Sequence, residues 1–592
     1  MEKLKDLVND STFVDQMNTA FSSTRSDFKT TKANEDKEIE KLSKLHVDVN
    51  GDLSSLVSKS IVSSGAISGL RGTGKTHLFL LARNEINKQI ETNRTLCVYL
   101  NLKELNFNSC DDEEIINRKF SVNLYKEIAN HMEIIFSKKD LSKYGLFDFK
   151  GRKEEKQQRE KLAQVIQLLA EYKMISKIGD LSIDSPSIIK EQTEKTKEET
   201  IQIGNNLTGG LSSKGLANID TTFYSEEAQK GIDKVINESG FQNFLDISNV
   251  KDNIINILTI LDLDKITFFI DDWEKIFDEG DLLQKTISTY LDKINDNPIF
   301  IWLGVVPGRS KLFKLNQGSD LQHYIDLDKN LIFEESIEDK KNCLNYFREF
   351  INKRLSYYIN DYSLNYKVLL KDENFEMLVH ASMGNSRDFA NMLSYGWSTY
   401  NSKIGAGRGR RFATISQNMI IDAIKHVGKQ KFSNIKDHDE VRALWNDIKK
   451  FCIQKQYSHF SIIESHQNQE AINSFNFQEL IYNRLVHFRK SGVATKDGTG
   501  EDLSIYALNY GAIYDLMKLG DRKITFVIDG DTIHNKIRRY IYDPIAILEE
   551  ISIKDGGKYK CNCCGHLIDI SVMKAAWEEN SCPFQGGKIR NE

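Results

Sequence analysis

The sequence predicts an α/β protein: a parallel sheet packed between helices, then a helical lid, an α+β module and a small cysteine-bearing tail. Three observations carry this. Gly69-Leu70-Arg71-Gly72-Thr73-Gly74-Lys75-Thr76 has the spacing G-x-x-x-x-G-K-T, between a strand-like stretch at 61–68 and the apolar run His77–Arg83. A strand–loop–helix setting is what gives such a motif its meaning. Continuous apolar runs at 95–102, 265–270 and 298–307 are separated by helical stretches and read as strands buried on both faces. Finally, the chain carries only 5 prolines, which leaves few rigid linkers and room for long helices.

A length of 592 residues allows about three or four domains at roughly 150 residues each. With 40% hydrophobic and 28% charged residues the chain has the composition of an ordinary globular protein. A formal charge of −5 excludes a globally basic nucleic-acid binder, so any such contact needs a local basic patch. No apolar run reaches transmembrane length, and Met1–Asp6 lacks the apolar core of a signal peptide, so a cytoplasmic location without membrane contact is expected. Cys97, Cys110, Cys343 and Cys452 are scattered and read as reduced apolar residues. Cys561, Cys563, Cys564 and Cys582 cluster and suggest a metal instead of disulfides.

Residues 1–55 form a polar leader, with a helical patch at Glu38–Leu42 and a cap region at Phe21–Arg25; it either folds over the adenine side of a nucleotide or is plain surface. Residues 56–334 form the nucleotide-binding core. In its loop, Gly69, Gly72, Thr73 and Gly74 let backbone N–H groups and the helix N-terminus, at Lys75, Thr76 and His77, face phosphates. Lys75 would reach the β/γ-phosphates of ATP and the Thr76 hydroxyl would hold Mg²⁺.

The runs at 95–102 and 265–270 are separated by about 160 residues, far more than a strand-to-helix connection needs. Residues 105–255 are therefore an insertion, helical at Glu114–Phe136 and at Glu154–Lys177, the latter with Leu162, Val165, Leu168 and Leu169 on one side. Its Gly/Ser-rich stretch Ser185–Ser225 is either a segment that orders against a partner or a solvated loop.

The run Ile266–Ile270 ends in Asp271-Asp272, the Walker B pattern of an acidic pair at the ligand edge of the sheet. Asp271 would accept from water on Mg²⁺ and Asp272 would orient the attacking water. Glu274, two residues on, is the alternative where a longer carboxylate is needed. The following strand carries Arg309 at its end, with three readings: a γ-phosphate sensor in cis, a finger in trans, or a surface arginine.

After the helical stretches Ile337–Tyr358 and Asn374–His380 comes Gly384-Asn385-Ser386-Arg387-Asp388. With these motifs in place, residues 55–110 and 255–400 resemble AAA+ ATPases, in particular the origin-recognition/initiator-type and STAND-like branches. The Asp-Asp-Trp ending is more similar to the signalling branch, the Gly-Asn-Ser-Arg-Asp segment to the initiator branch. The resemblance implies that residues 335–432 are a helical lid whose Arg387 contacts the γ-phosphate, and that the protein is a homo-oligomer with the nucleotide between subunits.

Ile404–Arg411 is a glycine/arginine loop, suited to a phosphate backbone or merely solvated. Residues 433–550 read as helix (Arg442–Gln456), apolar segment (Phe460–Ile463), helix (Phe477–Phe488) and hairpin, similar to the winged helix that initiator-type ATPases append. The second helix would offer Asn483, Arg484, His487, Arg489 and Lys490 to DNA, but the hairpin also carries Asp497, Glu501 and Asp502, so protein contact competes with DNA contact. In the tail, 551–592, Cys561 and Cys564 form a zinc-ribbon-like C-x-x-C knuckle and Cys582-Pro583 the return knuckle, with Gln585 where a fourth cysteine would stand. Cys563 or His566 is the candidate fourth ligand to Zn²⁺.

Two functions follow. In the first, a Mg²⁺-dependent ATP hydrolase cycles between ATP and ADP states and assembles on or senses double-stranded DNA. In the second, a STAND-like signalling ATPase of bacterial antiviral defence oligomerises, hydrolyses slowly and recruits an effector protein through protein contacts.

Overall fold

The computed structural model describes residues 4–22, 35–48, 50–108, 111–138, 152–179, 245–277, 281–359, 364–405, 412–495, 500–518, 520–554, 556–570 and 572–590, with scattered positions between 226 and 233. The chain divides into two units, residues 27–69 with 74–327, and residues 1–26 and 70–73 with 328–592. The leader is shared: helix α1 (Ser11–Ser22) counts with the second unit and α2 (Glu35–Leu45) with the first. The cap region at Phe21–Arg25 lies largely outside the described residues.

In the first unit, helix α3 (Asp52–Ser60) leads into β1 (Gly65–Ser68), the phosphate loop and α4 (Lys75–Lys88). The strand is shorter than residues 61–68 suggest, because α3 runs to Ser60 and Ile61–Ser64 make the turn out of it. Then follow β2 (Thr95–Asn101), the long helices α5 (Glu113–Lys138) and α6 (Arg152–Gly179), α7 (Ile247–Leu261), β3 (Lys265–Asp271), α8 (Leu282–Ile294), β4 (Ile299–Val305) and β5 (His323–Asp326). The sheet order is β2-β3-β4-β1-β5, all parallel. The C-terminal ends of β1, β4 and β3 therefore open side by side, where open α/β sheets take ligands.

Alternation along the strands serves two cores. Ala66, Phe268, Ile270, Ile301 and Leu303 face the cluster built with α5 to α8, while Ile67, Phe269 and Trp302 face Leu56, Phe79 and Ile86 of α3 and α4. Phe120, Tyr125, Leu168, Leu169 and Tyr172 of the insertion are buried in the first of these cores. The two long insertion helices are thus a wall of the sheet, not an appendage. Ser185–Ser225 lies outside the described residues. Helix α2 packs on α4 through Ile39, Leu42, Leu80 and Leu81.

The second unit holds the lid helices α9 (Ile337–Tyr358), α10 (Asp372–Ser382), α11 (Ser386–Gly405) and α12 (Gln417–Ser433). The Ser336 hydroxyl caps α9 by accepting from Asp339 N–H at 3.0 Å. Trp397 of α11 packs against Phe13 and Phe21 of α1, and its Nε1 donates to Asn18 at 2.9 Å. Next come α13 (Asp439–Lys455), β6 (His459–Ile463), α14 (His466–Asn473), α15 (Phe475–Tyr482), β7 (Val486–Ala494) and β8 (Asp502–Leu508), with antiparallel order β6-β8-β7. Helix, strand, two helices and hairpin make the winged-helix arrangement expected. The tail contains α16 (Ile545–Lys554), the antiparallel pair β9 (Lys558–Lys560) and β10 (Leu567–Asp569), and α17 (Lys574–Glu578).

A further element differs from expectation. The helix read as Phe477–Phe488 stops at Tyr482: Arg484 takes a left-handed φ of 56° and the chain turns into β7. No helix among the described residues is long and apolar enough to cross a membrane.

Candidate nucleotide site

In the first unit, Gly74 (φ 109°) ends the loop and Lys75 opens α4, whose first turn closes with Leu78 N–H on Gly74 O at 3.0 Å. A φ near 109° strains any side chain, so this position requires glycine. Lys75 is buried and its Nζ donates to Gly69 O at 2.5 Å, while Gly69 N–H donates to Val305 O of β4 at 3.2 Å. The loop is thereby hung from the strand beside β1.

Asp271, the last residue of β3, is 1% exposed. Burial and the Asp272 carboxylate push its carboxyl up to about 6, opposed by the Thr76 hydroxyl and the Lys75 ammonium. Tyr99 of β2 donates its O–H to Asp271 Oδ2 at 3.0 Å, and Asp272 N–H donates to Oδ1 at 2.8 Å. From the other side, β4 comes close at Gly304: a Cβ there would lie 2.6 Å from Asp271 Oδ1 and 2.9 Å from the Phe79 ring. Thr76, Lys75 and Asp271 thus converge in one unit. The sequence singled out neither Tyr99 nor Gly304; a tyrosine on the strand that pairs with β3, with Tyr99 in register with Phe269, was the available signal.

Asp272 takes a left-handed φ of 58° and is half-buried. Glu274, in the following turn, is buried and its Oε2 has no hydrogen-bond partner among the described residues. Arg309 follows β4 and lays its guanidinium over the Phe277 ring, 4.8 Å from the centroid.

In the second unit, residues 70–73 of the loop meet the lid and the winged helix. Leu70 N–H donates to the Asp328 carboxylate at 2.9 Å. Asn385 Nδ2 donates to Arg71 O at 3.0 Å, and Arg387 packs so tightly on Gly72 (φ 95°) that a Cβ at 72 would lie 2.5 Å from Arg387 Cβ. Arg484, at the end of α15, donates from Nη1 to Arg71 O at 3.4 Å, and Arg71 Nη1 donates to the Tyr482 hydroxyl at 3.4 Å.

Arg484 also forms a two-pronged pair with Asp388, with both N–O distances at 3.1 Å, and Lys431 of α12 adds a contact at 2.5 Å. Burial opposes ionisation of Asp388, but these two cations hold its carboxyl far below the usual carboxylate range. A second buried cluster joins Glu334 to Arg489 of β7 and to His459 of β6.

These pairings change the picture of a DNA-reading helix. His487 and Arg489 lie in β7 and are buried, Arg484 is held by Asp388, and Lys490 pairs with Glu335 at 2.6 Å. Along α15, Phe477 to Ile481 are buried and only Phe475 is exposed. Residues 406–411 of the glycine/arginine loop and 496–499 of the hairpin turn lie outside the described residues.

In the tail, the Sγ atoms of Cys561, Cys564 and Cys582 all lie within 4.8 Å of one another. Neither candidate fourth ligand joins them. Cys563 is exposed, with its Sγ 3.8 Å from Gln585 Oε1, and the His566 ring stacks on Phe584, centroids 4.8 Å apart.

No protein-family model matches the chain, and no curated protein matches it. Among solved structures, the Aeropyrum pernix ORC1 protein in complex with DNA is similar at 10% identity, covering 80% of this chain and 93% of that one, with a TM-score of 0.28. At that score the likeness supports no statement about this protein's partners.

Proposed function

We propose that the protein is a nucleotide-driven switch that binds and hydrolyses ATP. The observation that carries this reading is the convergence of Lys75, Thr76 and Asp271 at the C-terminal edge of the parallel sheet. In the other unit, Arg71 O accepts from Asn385 of the lid and Arg484 of the winged helix, and Gly72 packs on Arg387. A loop that shifts to take phosphates must change the hydrogen bonds accepted by Arg71 O, and both modules feel that change.

Lys75 and the loop amides bind the phosphates, and Arg387 is the γ-phosphate sensor. Thr76 and Asp271 would hold Mg²⁺, which would supply charge neutralisation on the phosphates. Tyr99 fixes the rotamer of Asp271, and Asp272 or Glu274 orients the attacking water. Arg309 assists in cis or in trans from another subunit of a homo-oligomer. The switch assembles on or senses DNA. A second reading, in which the C-terminal unit recruits an effector protein, is favoured by the burial of Phe477–Ile481 of α15, which withholds that stretch of the helix from a DNA groove.

Lys75→Ala is expected to abolish ATP turnover; unchanged turnover would remove the enzymatic core of both readings. Binding to duplex DNA measured across a salt series, with and without ATP, separates them. A protein that neutralises phosphates shows an affinity falling steeply with salt. Absence of saturable binding under either condition eliminates the DNA reading and leaves the protein-contact one.

A further inference from the structure

The tail repeats one backbone turn twice. In the first, Cys561 N–H donates to His566 O at 2.8 Å, Gly565 N–H donates to Cys561 O at 2.8 Å, and Gly565 has φ 73°. In the second, Cys582 N–H donates to Gly587 O at 2.6 Å, Gly586 N–H donates to Cys582 O at 2.8 Å, and Gly586 has φ 73°. By this shared hydrogen-bond pattern the two turns correspond residue by residue: Cys561 to Cys582, Cys564 to Gln585, Gly565 to Gly586. Three of the four knuckle corners are thiols, and the fourth is Gln585.

The remaining apolar content of this module is small. Ile568 and Ile589 are its only fully buried aliphatic residues among those described, supported by partly buried Tyr559 and Trp577. A module of some thirty residues with so small a core ordinarily needs a metal or disulfide staple to fold. Cys561 and Cys582 are each 2% exposed, so their sulfurs point into this centre.

We propose that the tail binds one Zn²⁺ through the thiolates of Cys561, Cys564 and Cys582, with a water at the fourth coordination corner, where Gln585 stands in place of a thiol and turns its exposed amide oxygen to Cys563 Sγ, 3.8 Å away. Zinc prefers four ligands, and soft thiolates select it over hard cations. Cys563 and His566 are not ligands. The fourth corner is the weak one, so this is a more exchangeable site than a four-thiolate knuckle pair.

The test uses the full chain, stripped with chelator and titrated with Zn²⁺ and, separately, with Co²⁺, whose thiolate charge-transfer absorption scales with the number of sulfurs bound. Wild type is expected to take one metal with a three-thiolate spectrum. Cys561→Ser and Cys582→Ser lose it, whereas Cys563→Ser and His566→Ala keep both stoichiometry and spectrum. Gln585→Cys is expected to give a four-thiolate spectrum and to tighten retention against chelator by at least the roughly tenfold that even an outer-shell partner contributes. No metal uptake, loss of metal in Cys563→Ser or His566→Ala, or an unchanged spectrum in Gln585→Cys would each overturn the proposal. None of these readouts involves ATP.

Discussion

At the scale of single residues, the acidic end of β3 shows how little space the Asp271 carboxylate is given. Asp271 is enclosed by Tyr99, Thr76, its neighbour's amide and the bare backbone of Gly304. Gly304→Ala would put a methyl 2.6 Å from Asp271 Oδ1 and 2.9 Å from Phe79. Overpacking of this kind costs about 1–3 kcal/mol, and relief by rotating the carboxylate would take it off Thr76. We expect a folded protein, by circular dichroism, whose ATP turnover drops by more than its stability does; wild-type turnover would mean that Asp271 does not set the rate. Lys75 and Thr76 stood out because they sit at fixed spacing in one strand–loop–helix, and Asp271 because it closes an apolar run that could only be a buried strand. Tyr99 and Gly304 did not, because their role arises from strand order, which places β2 and β4 on either side of β3.

At the scale of elements, the boundary between α15 and β7 decides what the winged helix can do. The apolar residues Leu480, Ile481, Leu485 and Phe488 fit one helical face, and no glycine or proline marks a stop before Gly492. What ends the helix is tertiary: pairing of β7 with β8, and the two-pronged grip of Asp388 on Arg484 in a left-handed conformation. Strand β5 was missed for a related reason, since four residues ending in Asp326 become a strand only by lying beside β1. Arg484→Ala leaves Asp388 with Lys431 alone, and losing one partner of a buried ion pair costs on the order of 3–5 kcal/mol. The expected result in urea unfolding is a loss of that size, with weaker ATP binding by calorimetry because Arg71 O loses a donor. Arg484→Lys restores charge without the planar fork and is expected to recover only part of it. ATP affinity unchanged in a folded Arg484→Ala protein would break the proposed link between loop and winged helix.

At the scale of the molecule, the C-terminal unit holds lid and winged helix together with buried charge, and that makes its stability depend on acid. Burial alone would raise the Glu334 carboxyl, but Arg489 and His459 overcome it and lower it from 4.5 to about 2. A carboxylate with a depressed folded value stabilises the fold above its unfolded value and loses that contribution as pH falls towards the folded one. The window is therefore from about 4.5 down to about 2, and the difference corresponds to roughly 3 kcal/mol at neutral pH. Asp388 is shifted in the same direction by Arg484 and Lys431, so its contribution fades with Glu334's. Both carboxylates bridge lid to winged helix: Glu334 precedes α9 and reaches β6 and β7, while Asp388 lies in α11 and reaches α12 and the end of α15. Their protonation should release the two modules from each other in one step. Unfolding followed by tryptophan fluorescence is expected to show stability falling steadily with pH below about 4.5. In Glu334→Gln the protein should be less stable at pH 7 and its acid slope shallower. An acid slope identical to wild type in that variant would mean that Glu334 is not charged in the folded protein, and that the acid loss is carried by Asp388 with Arg484 and Lys431.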